Sequence, residues 1–360
     1  MTNKIKLFDL TIDSDFNQYR AIWLSGESRR PHDHPQYMLL MMPRDHKPMA
    51  MVYCENETPK IIYAFYLKEL LDYAFFGSEA GRKKLMISAY GYGGPVRLMK
   101  DSAEYSDFEA CLDSYIQENE IVSEFVREDL FSEFKVPRKF EGIKQQENVV
   151  VELSKTPDVL WSSYKHSVRK NVNRAKSSNL NEVFDFKGEM LCDFVNVYHM
   201  TMNRTNAKQS FLIGTDEFME LNKYLIEDDL GFYVHIKHED KVIATELVLK
   251  SPRHVYSFLG GSDMEYSNLR PSDYLKHMVN LWAIDNKIEG YVLGGGVRPY
   301  DGIYTFKLAF DLNGSTPFYI QKNVHNDSVY QSLISLRQKF ERNQGQDWSP
   351  NPDFFPSFLS

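Results

Sequence analysis

The sequence predicts an α/β protein with mixed sheets, divided into two domains. Its 360 residues exceed the length at which a single hydrophobic core usually suffices. Short apolar runs typical of strands recur between segments that have the periodicity of amphipathic helices. A polar stretch at residues 136–148 separates two such series. We therefore predict one domain over residues 1–146, a second over residues 147–345, and a tail over residues 346–360 that is rich in proline and aromatic residues.

The first domain begins with strands, which are predicted at residues 49–55 and 60–70 from their apolar, β-branched and aromatic content. A helix follows at residues 108–117, because Phe108, Leu112 and Ile116 recur at helical spacing. The segment after this helix returns to a strand pattern. The first domain therefore mixes strands and helices.

The second domain is predicted as a strand, two helices, three strands, a helix and a final strand. The helices are expected at residues 156–180, 191–205 and 271–287, and the first and last of them have a proline in the first turn. The three central strands comprise a hairpin over residues 231–250 and a strand over 254–262. The final strand, at residues 290–296, ends in three glycines.

The net charge of −8 is unevenly distributed. Residues 101–133 contain eleven acidic residues and one basic residue, Arg127, so the rest of the chain carries a small positive charge. A polyanionic partner would have to bind away from this acidic segment.

The sequence contains no apolar run long enough to span a bilayer and no N-terminal signal core. The three cysteines show neither metal nor disulfide spacing, and His32 and His34 have no third ligand placed by the sequence. We therefore expect a cytoplasmic protein without a metal cofactor. The oligomeric state is left open.

The order of elements in the second domain is the one that acyltransferases of the GNAT type need. In such enzymes a central strand separates from its neighbour, and the donor carbonyl lies in the gap. A free amine then attacks this carbonyl directly, so no protein nucleophile is required.

Four segments carry a more specific resemblance: ISAYGYGGPV, SVRKNVNRAKSSNL, VIATELVLK with VYSFLGGS, and LGGGVRPYDGIYTFKLAF. Together they resemble the Fem-type superfamily, which includes the peptidoglycan-bridge aminoacyltransferases and relatives with a BioF2-like acetyltransferase domain. The resemblance implies two tandem GNAT-like domains, the first on the acceptor side and the second catalytic. It also implies acyl-CoA or aminoacyl-tRNA as the donor, and an amine of a small-molecule or lipid-linked envelope precursor as the acceptor. The precursor would be a peptidoglycan peptide or an amino sugar. The competing interpretation is a non-catalytic module that binds such a precursor.

The resemblance implies that Lys307, in the pair Phe306–Lys307, stabilises the charge that develops during acyl transfer. A lysine in an aromatic wall is poorly solvated, so its charge would act strongly on a nearby oxyanion. The alternative is that Lys307 extends to water. The preceding glycines, Gly294, Gly295 and Gly296, either let a substrate approach the backbone closely or form a tight turn.

Two carboxylates are candidates for the general base. Glu246 lies in the middle of a predicted strand, and burial there would raise its basicity. Asp301 follows the glycines and could hold the acceptor amine. The alternatives are a solvent-facing glutamate on an alternating strand and an aspartate that caps the following segment.

Three residues are candidates for binding the acceptor. The resemblance implies that an arginine in the region of Arg204 grips a phosphate or carboxylate, whereas the alternative is a favourable position at a helix C-terminus. Tyr90 and Tyr92 could line a groove for a sugar or peptide, or could form a structural turn. We expect the acceptor near Tyr92, Arg204 and Lys307.

The donor is expected beside the strand that ends in Phe258, Gly260, Gly261 and Ser262. A basic helix face with Lys165, Arg169 and Lys170 could contact the phosphates of coenzyme A or the backbone of a tRNA, or could simply be solvated. Arg270 precedes the next helix, but the glycine-rich turn that usually holds the pyrophosphate of coenzyme A is missing there. This departure favours the Fem-type donor without deciding between the two.

Overall fold

A computed structural model of the chain describes residues 4–100 and 106–360. The chain divides into a first unit, Met1–Gln145 with Tyr319–Ser360, and a second unit, Gln146–Phe318. The predicted boundary at residue 146 lies within one residue of the first division. The predicted end of the second domain at residue 345 is corrected to Phe318. Residues 101–105 of the acidic segment lie outside the described residues.

The N-terminal part of the first unit combines strands with three helices in its described residues. Its elements are β1 (Ile5–Asp9), α1 (Asp13–Ser25), α2 (Pro35–Leu40), β2 (Lys47–Glu55), β3 (Thr58–Glu69), β4 (Lys84–Ser88), β5 (Val96–Arg97), α3 (Ser106–Glu118) and β6 (Ile121–Arg127). The strands and the helix predicted for this part are all found, with bounds shifted by a few residues.

The second unit contains the predicted series and additional elements. Its elements are β7 (Ile143–Glu152), α4 (Pro157–Ser163), α5 (His166–Ser177), β8 (Leu180–Asp185), α6 (Leu191–Arg204), α7 (Thr215–Glu227), β9 (Gly231–His238), β10 (Lys241–Lys250), β11 (His254–Ser262), α8 (Pro271–Asp285), β12 (Gly290–Gly294) and α9 (Gly302–Leu308). The strands follow the order β7-β12-β11-β10-β9-β8. Helices α5 and α8 contribute buried side chains to the core of this unit.

The single helix predicted over residues 156–180 is broken into α4 and α5. Tyr164 and Lys165 have extended backbone between the two helices. The Tyr164 side chain is buried and accepts a hydrogen bond from Asn280 Nδ2 at 2.9 Å, while the Lys165 N–H donates to the Ala309 carbonyl at 2.9 Å. These contacts come from distant parts of the chain, so the local sequence could not predict the break.

The chain returns to the first unit through β13 (Ser315–Val324) and α10 (Asp327–Asn343). The strand order in that unit is β1-β2-β3-β4-β6-β13. Phe358, in the predicted tail, is fully buried and packs its ring against Tyr330 of α10 and against Phe76. Burial of such an aromatic side chain contributes about 2–3 kcal/mol, which explains why these residues do not form a separate tail.

None of the helices in the described part of the chain is both long and apolar enough to cross a bilayer.

Both units contain the same series of a hairpin, a third strand, a helix and a strand parallel to the third. In the first unit, β4 pairs with β6 from Lys84 to Ile87, which is most of its length. In the second unit, β11 pairs with β12 only from His254 to Tyr256, although β11 has nine residues. The second unit alone therefore has the long strand divergence that the sequence predicts for a donor site.

The close approach of β10 and β11 predicts a penalty for a side chain at Gly260. A Cβ atom there would lie 2.5 Å from the Thr245 carbonyl oxygen, so Gly260→Ala should lower the free energy of unfolding by about 1–3 kcal/mol. Gly302→Ala is the control, because its Cβ would meet nothing within 4 Å. Urea unfolding followed by circular dichroism would measure both. Equal stability of the two variants would contradict this packing.

Candidate active site

A cavity of about 250 Å³ opens in the second unit along the part of β11 that has left β12. Its walls come mainly from β10, β11 and α8, with Thr201 of α6 and Phe306 of α9. The four residues predicted beside the donor line it together: Phe258, Gly260, Gly261 and Ser262.

A β-bulge shapes the wall of this cavity. Leu247 of β10 faces Leu259, whereas the next residue, Val248, faces Ser257, so Phe258 is the extra residue on β11. A bulge bends a strand and re-aims its side chains and backbone groups. Phe258 lies two residues beyond Tyr256, the last residue of β11 that pairs with β12.

The two glycines of β11 are required by packing. A Cβ atom at Gly261 would lie 2.4 Å from Thr201 Oγ1, and this hydroxyl oxygen accepts a hydrogen bond from the Ser262 N–H at 3.0 Å. Gly260 is confined in the same way by β10. The absent side chains bring α6 and β10 close to β11 and leave backbone as part of the cavity wall.

A buried network of four polar side chains lies at the base of the cavity: Glu246, Ser257, Lys276 and Tyr291. Lys276 Nζ donates to both carboxylate oxygens of Glu246, at 2.7 and 2.8 Å, and to Ser257 Oγ at 2.7 Å. Tyr291 Oη donates to Glu246 Oε1 at 2.7 Å and lies 3.0 Å from Lys276 Nζ. The network thus connects β10, β11, α8 and β12.

Burial sets the protonation of this network. It lowers the pKa of Lys276 against the opposing effect of Glu246, and it raises the pKa of Tyr291, with a further increase from Glu246. The alternative of a solvent-facing Glu246 is wrong, since only 3% of the residue is exposed. Oε1 accepts from both Lys276 and Tyr291, whereas Oε2 accepts from Lys276 alone and keeps one acceptor position. The role of Glu246 as a general base stays a prediction.

Lys307 lies in helix α9, with its ammonium directed towards the glycine loop. Nζ donates to the Gly295 carbonyl oxygen at 2.6 Å. Burial and the nearby Lys276 cation lower the pKa of Lys307 to about 8, although Glu246 and Asp301 oppose this shift. The alternative in which Lys307 extends freely into water is therefore wrong. Its charge lies within electrostatic range of the buried network.

The glycines after β12 form a tight loop that receives this lysine. Gly294 has a φ of 75°, which an L side chain rarely adopts. A Cβ at Gly295 would lie 2.5 Å from Gln146 Nε2, and one at Gly296 would lie 2.1 Å from Asp301 Oδ1. The absent side chains of Gly295 and Gly296 are thus accounted for by contacts within the second unit.

Asp301 has the capping role that the sequence also allowed, and its part in holding the acceptor amine stays a prediction. Its carboxylate caps α9 by accepting from the Tyr304 N–H at 2.9 Å, and it also accepts from the N–H groups of Val297 at 2.8 Å and Arg298 at 3.0 Å. These backbone donors lower its pKa, which opposes a role as general base near neutral pH. Asp301 instead fixes the loop and the start of the helix that carries Lys307.

Comparison with known proteins identifies the chemistry of this unit. Residues 162–302 match the family model described as an acetyltransferase (GNAT) domain. This part of the chain is therefore similar to a GNAT domain. The predicted enzyme class, an acyltransferase, is confirmed. No curated protein matches the sequence significantly.

Solved structures extend the similarity to the whole fold. FemX has 12% sequence identity and a TM-score of 0.63, with 88% of this chain and 98% of the FemX chain covered. The C-terminal domain of a protein provisionally assigned as a lysylphosphatidylglycerol synthetase, from Agrobacterium fabrum, has 13% identity and a TM-score of 0.54, with 90% and 96% covered. A conserved protein of unknown function from Bacteroides thetaiotaomicron has 10% identity and a TM-score of 0.52, with 88% and 98% covered. At these identities the likeness establishes the fold, and the predicted tandem GNAT-like architecture is confirmed.

The first turn of α8 in the GNAT domain differs from a phosphate-binding helix N-terminus. Pro271 lacks an N–H, and the buried carboxylate of Asp273 occupies the same turn, where it accepts from Asn171 Nδ2 at 3.0 Å. Arg270 precedes the helix in a left-handed conformation with φ 63° and is exposed. A pyrophosphate at this helix terminus would meet a carboxylate.

The basic face predicted for donor binding belongs to α5 and lies next to this turn, since Asn171 of α5 contacts Asp273 of α8. Lys165 and Lys170 are exposed. Arg169 instead donates to the carbonyl oxygens of Ser162 and Tyr164 at the end of α4. Arg169 therefore stabilises the turn between α4 and α5.

The residues predicted to bind the acceptor are distributed between the units. Arg204 is exposed at the C-terminal end of α6, one turn beyond Thr201 of the cavity wall. Tyr90 and Tyr92 belong to the first unit, where the ring of Tyr92 packs edge-on against His32 with centroids 5.1 Å apart. Their part in acceptor binding stays a prediction.

Sequence reasoning missed Lys276, Tyr291 and Ser257. Lys276 follows two residues assigned to the apolar face of α8, and nothing in the local pattern distinguishes it from a solvated lysine. One feature of the sequence could have indicated a buried polar site: α8 contains several polar residues, and three of them, Asp273, His277 and Asn280, are buried.

The buried ion pair predicts an asymmetric response to mutation. Lys276→Met leaves the Glu246 carboxylate buried without its counter-charge, which should lower the free energy of unfolding by about 3–5 kcal/mol. Glu246→Leu combined with Lys276→Met should restore much of this loss. Urea unfolding would measure both variants against Lys223→Met, which removes an exposed ion pair and should change stability far less than Lys276→Met. A single Lys276 variant as stable as this control would contradict the inferred role of the pair.

Proposed function

We propose that this protein transfers an aminoacyl group from aminoacyl-tRNA to a free amine of a cell-envelope precursor, in the cavity of its GNAT domain. The observation that carries this proposal is the divergence of β11 from β12 at a cavity lined by Lys276, with the charge of Lys307 within electrostatic range of Lys276 and Glu246. Such a gap accepts an activated carbonyl against exposed strand backbone. The fold shared with FemX supports the choice of an envelope precursor.

The reaction requires one displacement at the donor carbonyl. The lone pair of the acceptor amine forms the new C–N bond, and the C–O bond to the tRNA ribose breaks. The leaving oxygen takes the electron pair of that bond and the proton that the amine loses. The negative charge that develops on the carbonyl oxygen is stabilised by the Lys307 ammonium, which the Gly295 carbonyl holds in place.

The surroundings of Lys307 suit this task. Removal from water strengthens the interaction of its charge with an oxyanion, while the nearby Lys276 cation makes the ammonium a better proton donor. Glu246 balances the charge of Lys276 and thereby reduces the repulsion between Lys276 and Lys307. Lys276 and Glu246 thus act by positioning and charge balance.

The first turn of α8 supports aminoacyl-tRNA over coenzyme A as the donor. Asp273 and Pro271 make this terminus unfavourable for a pyrophosphate. The exposed cations Lys170 and Arg174 on α5 provide a surface for a polyanion beside the same turn. A tRNA acceptor stem on α5 would leave only the 3′-terminal aminoacyl ester to enter the cavity.

Acyl-CoA is the second candidate donor, because the family model that matches this chain is that of an acetyltransferase domain. The phosphates of coenzyme A would then contact α5, because the Asp273 carboxylate lies in the first turn of α8.

Mass spectrometry of the acceptor would test the function. The protein is incubated with aminoacyl-tRNA or with acetyl-CoA, in the presence of a peptidoglycan stem peptide with a free amine or an amino sugar. We expect a mass increase of one aminoacyl residue only with aminoacyl-tRNA. Retention of tRNA should fall with salt, and a Lys170→Gln, Arg174→Gln variant should reduce the log–log slope by about 2. Transfer from acetyl-CoA alone would refute the tRNA assignment, and no transfer from either donor would refute both.

The lowered pKa of Lys307 predicts a characteristic pH profile. If the ammonium is the active form, kcat/KM contains a limb that falls as pH rises through about 8, where Lys307 loses its proton. Lys307→Ala should lower kcat about 10²–10³-fold. Lys307→Arg keeps the charge at all these pH values, so the limb should disappear from its profile. A limb at the same pH in the arginine variant would assign the titration to another group.

A further inference from the structure

Arg127 occupies an unusual position in the first unit. Segment 101–133 contains eleven acidic residues and a single basic residue, which is Arg127. Arg127 is the last residue of strand β6. Arg127 is half-buried, and its guanidinium lies over the ring of Phe125, with 4.8 Å between the guanidinium carbon and the ring centroid. The backbone N–H of Arg127 donates to Ser88 Oγ at 2.9 Å, which fixes the residue beside the end of β4.

The guanidinium has few partners within the protein. Nη1 donates to the Ser88 carbonyl oxygen at a long distance of 3.4 Å. Within residues 4–100 and 106–360, no carboxylate lies within ion-pair distance of it. A guanidinium has five N–H donors, so most of its hydrogen-bonding capacity is unused by the described residues.

Two buried arginines of the same unit provide the comparison. Arg30 donates to both carboxylate oxygens of Asp33 at 2.8 Å and to Asp129 at 3.0 Å. Arg138 donates to Glu109 at 2.8 Å and to both oxygens of Glu124 at 3.2 Å. The unit therefore pairs these buried arginines with carboxylates, and Arg127 departs from this rule.

The side chains around Arg127 are neutral tyrosines. Tyr37, Tyr66 and Tyr90 are close enough to influence its charge. Tyr37 Oη donates to the Tyr90 carbonyl oxygen at 2.9 Å, and Tyr66 Oη donates to the Met38 carbonyl oxygen at 2.9 Å. Burial raises the pKa of both hydroxyl groups, so they remain protonated and supply no negative charge.

The protein thus leaves a half-buried cation without a carboxylate partner among the described residues. An unpaired buried charge is unfavourable, and burial accordingly lowers the pKa of Arg127. For Arg30 and Arg138 burial acts in the same direction, but the neighbouring carboxylates outweigh it and raise the pKa. The missing negative charge at Arg127 can come from a ligand, and the partly exposed Tyr90 provides contact with solvent.

We propose that Arg127 anchors an oxyanion-binding site in the first unit, beside the exposed side chain of Tyr90, that takes a carboxylate or phosphate group of a small ligand. The planar fork of a guanidinium matches two oxygens of either group. The ring of Tyr90 provides an apolar face for the part of the ligand that carries the anion. This site requires neither the donor nor the transfer reaction of the GNAT domain.

Calorimetric titration and thermal unfolding of the whole protein would test this site. The probes are inorganic phosphate and acetate, each compared with chloride at the same ionic strength. We expect saturable binding of one or both probes and a rise in Tm with probe concentration. The stronger of the two responses identifies the ligand group as phosphate or carboxylate. Arg127→Met should weaken binding about 10-fold or more, as expected for loss of a charged hydrogen-bonding partner.

Matched variants separate a ligand site from a structural role. Arg44→Met removes the same charge from an exposed side chain of the first unit and should bind like the unmodified protein. Lys307→Ala should also bind normally, so failure of the transfer reaction would leave this result unchanged. Without added anion, Arg127→Met should have a Tm equal to or above that of the unmodified protein, since it removes an uncompensated charge.

Three results would overturn the proposal. One is the absence of a saturable response to either probe beyond that of chloride. Another is an undiminished response in Arg127→Met. The third is a marked loss of stability of Arg127→Met without anion, which would show that the guanidinium supports the fold.

Discussion

The contact between the Lys276 ammonium and the Glu246 carboxylate determines how the active-site cavity is built. It lies where β11 leaves β12, and it reaches both strands, through Ser257 on β11 and Tyr291 on β12. It joins side chains of the two strands at the place where their backbone hydrogen bonds have ended. A charged pair is costly to bury, but here it fixes four elements around one opening. The same pair sets the electrostatic surroundings of Lys307.

The repeated series of elements shows how one fold serves two purposes. In the first unit β4 and β6 remain paired, and a bridge between Gly93 and Glu128 extends their contact. Arg127 and Ser88 lie where the corresponding strands of the second unit have separated. A duplicated framework can therefore keep its core while only one copy retains the opening needed for a thioester or ester donor.

Much of this organisation could be predicted from the sequence, and the failures have physical causes. Strand patterns and helix periodicity located the central hairpin, β11, α8 and β12, and the resemblance directed attention to Phe258 and Lys307. The burial of Lys276 could not be predicted from the sequence, because a lysine between apolar residues of a helix is usually solvated. The break at Tyr164 and the strand β8 depend on contacts with distant residues. Local patterns therefore predicted the framework and only part of the chemistry.

The hydrogen bond from Lys307 to Gly295 links the ammonium to a segment that faces solvent. Beyond the glycines, Val297 is 82% exposed and Tyr300 is 66% exposed, and the Asp301 carboxylate ties this segment to the helix that carries the lysine. A change in the position of this segment would therefore move the ammonium with it. A contact made at Val297 or Tyr300 would then be expressed in the rate of turnover rather than in affinity.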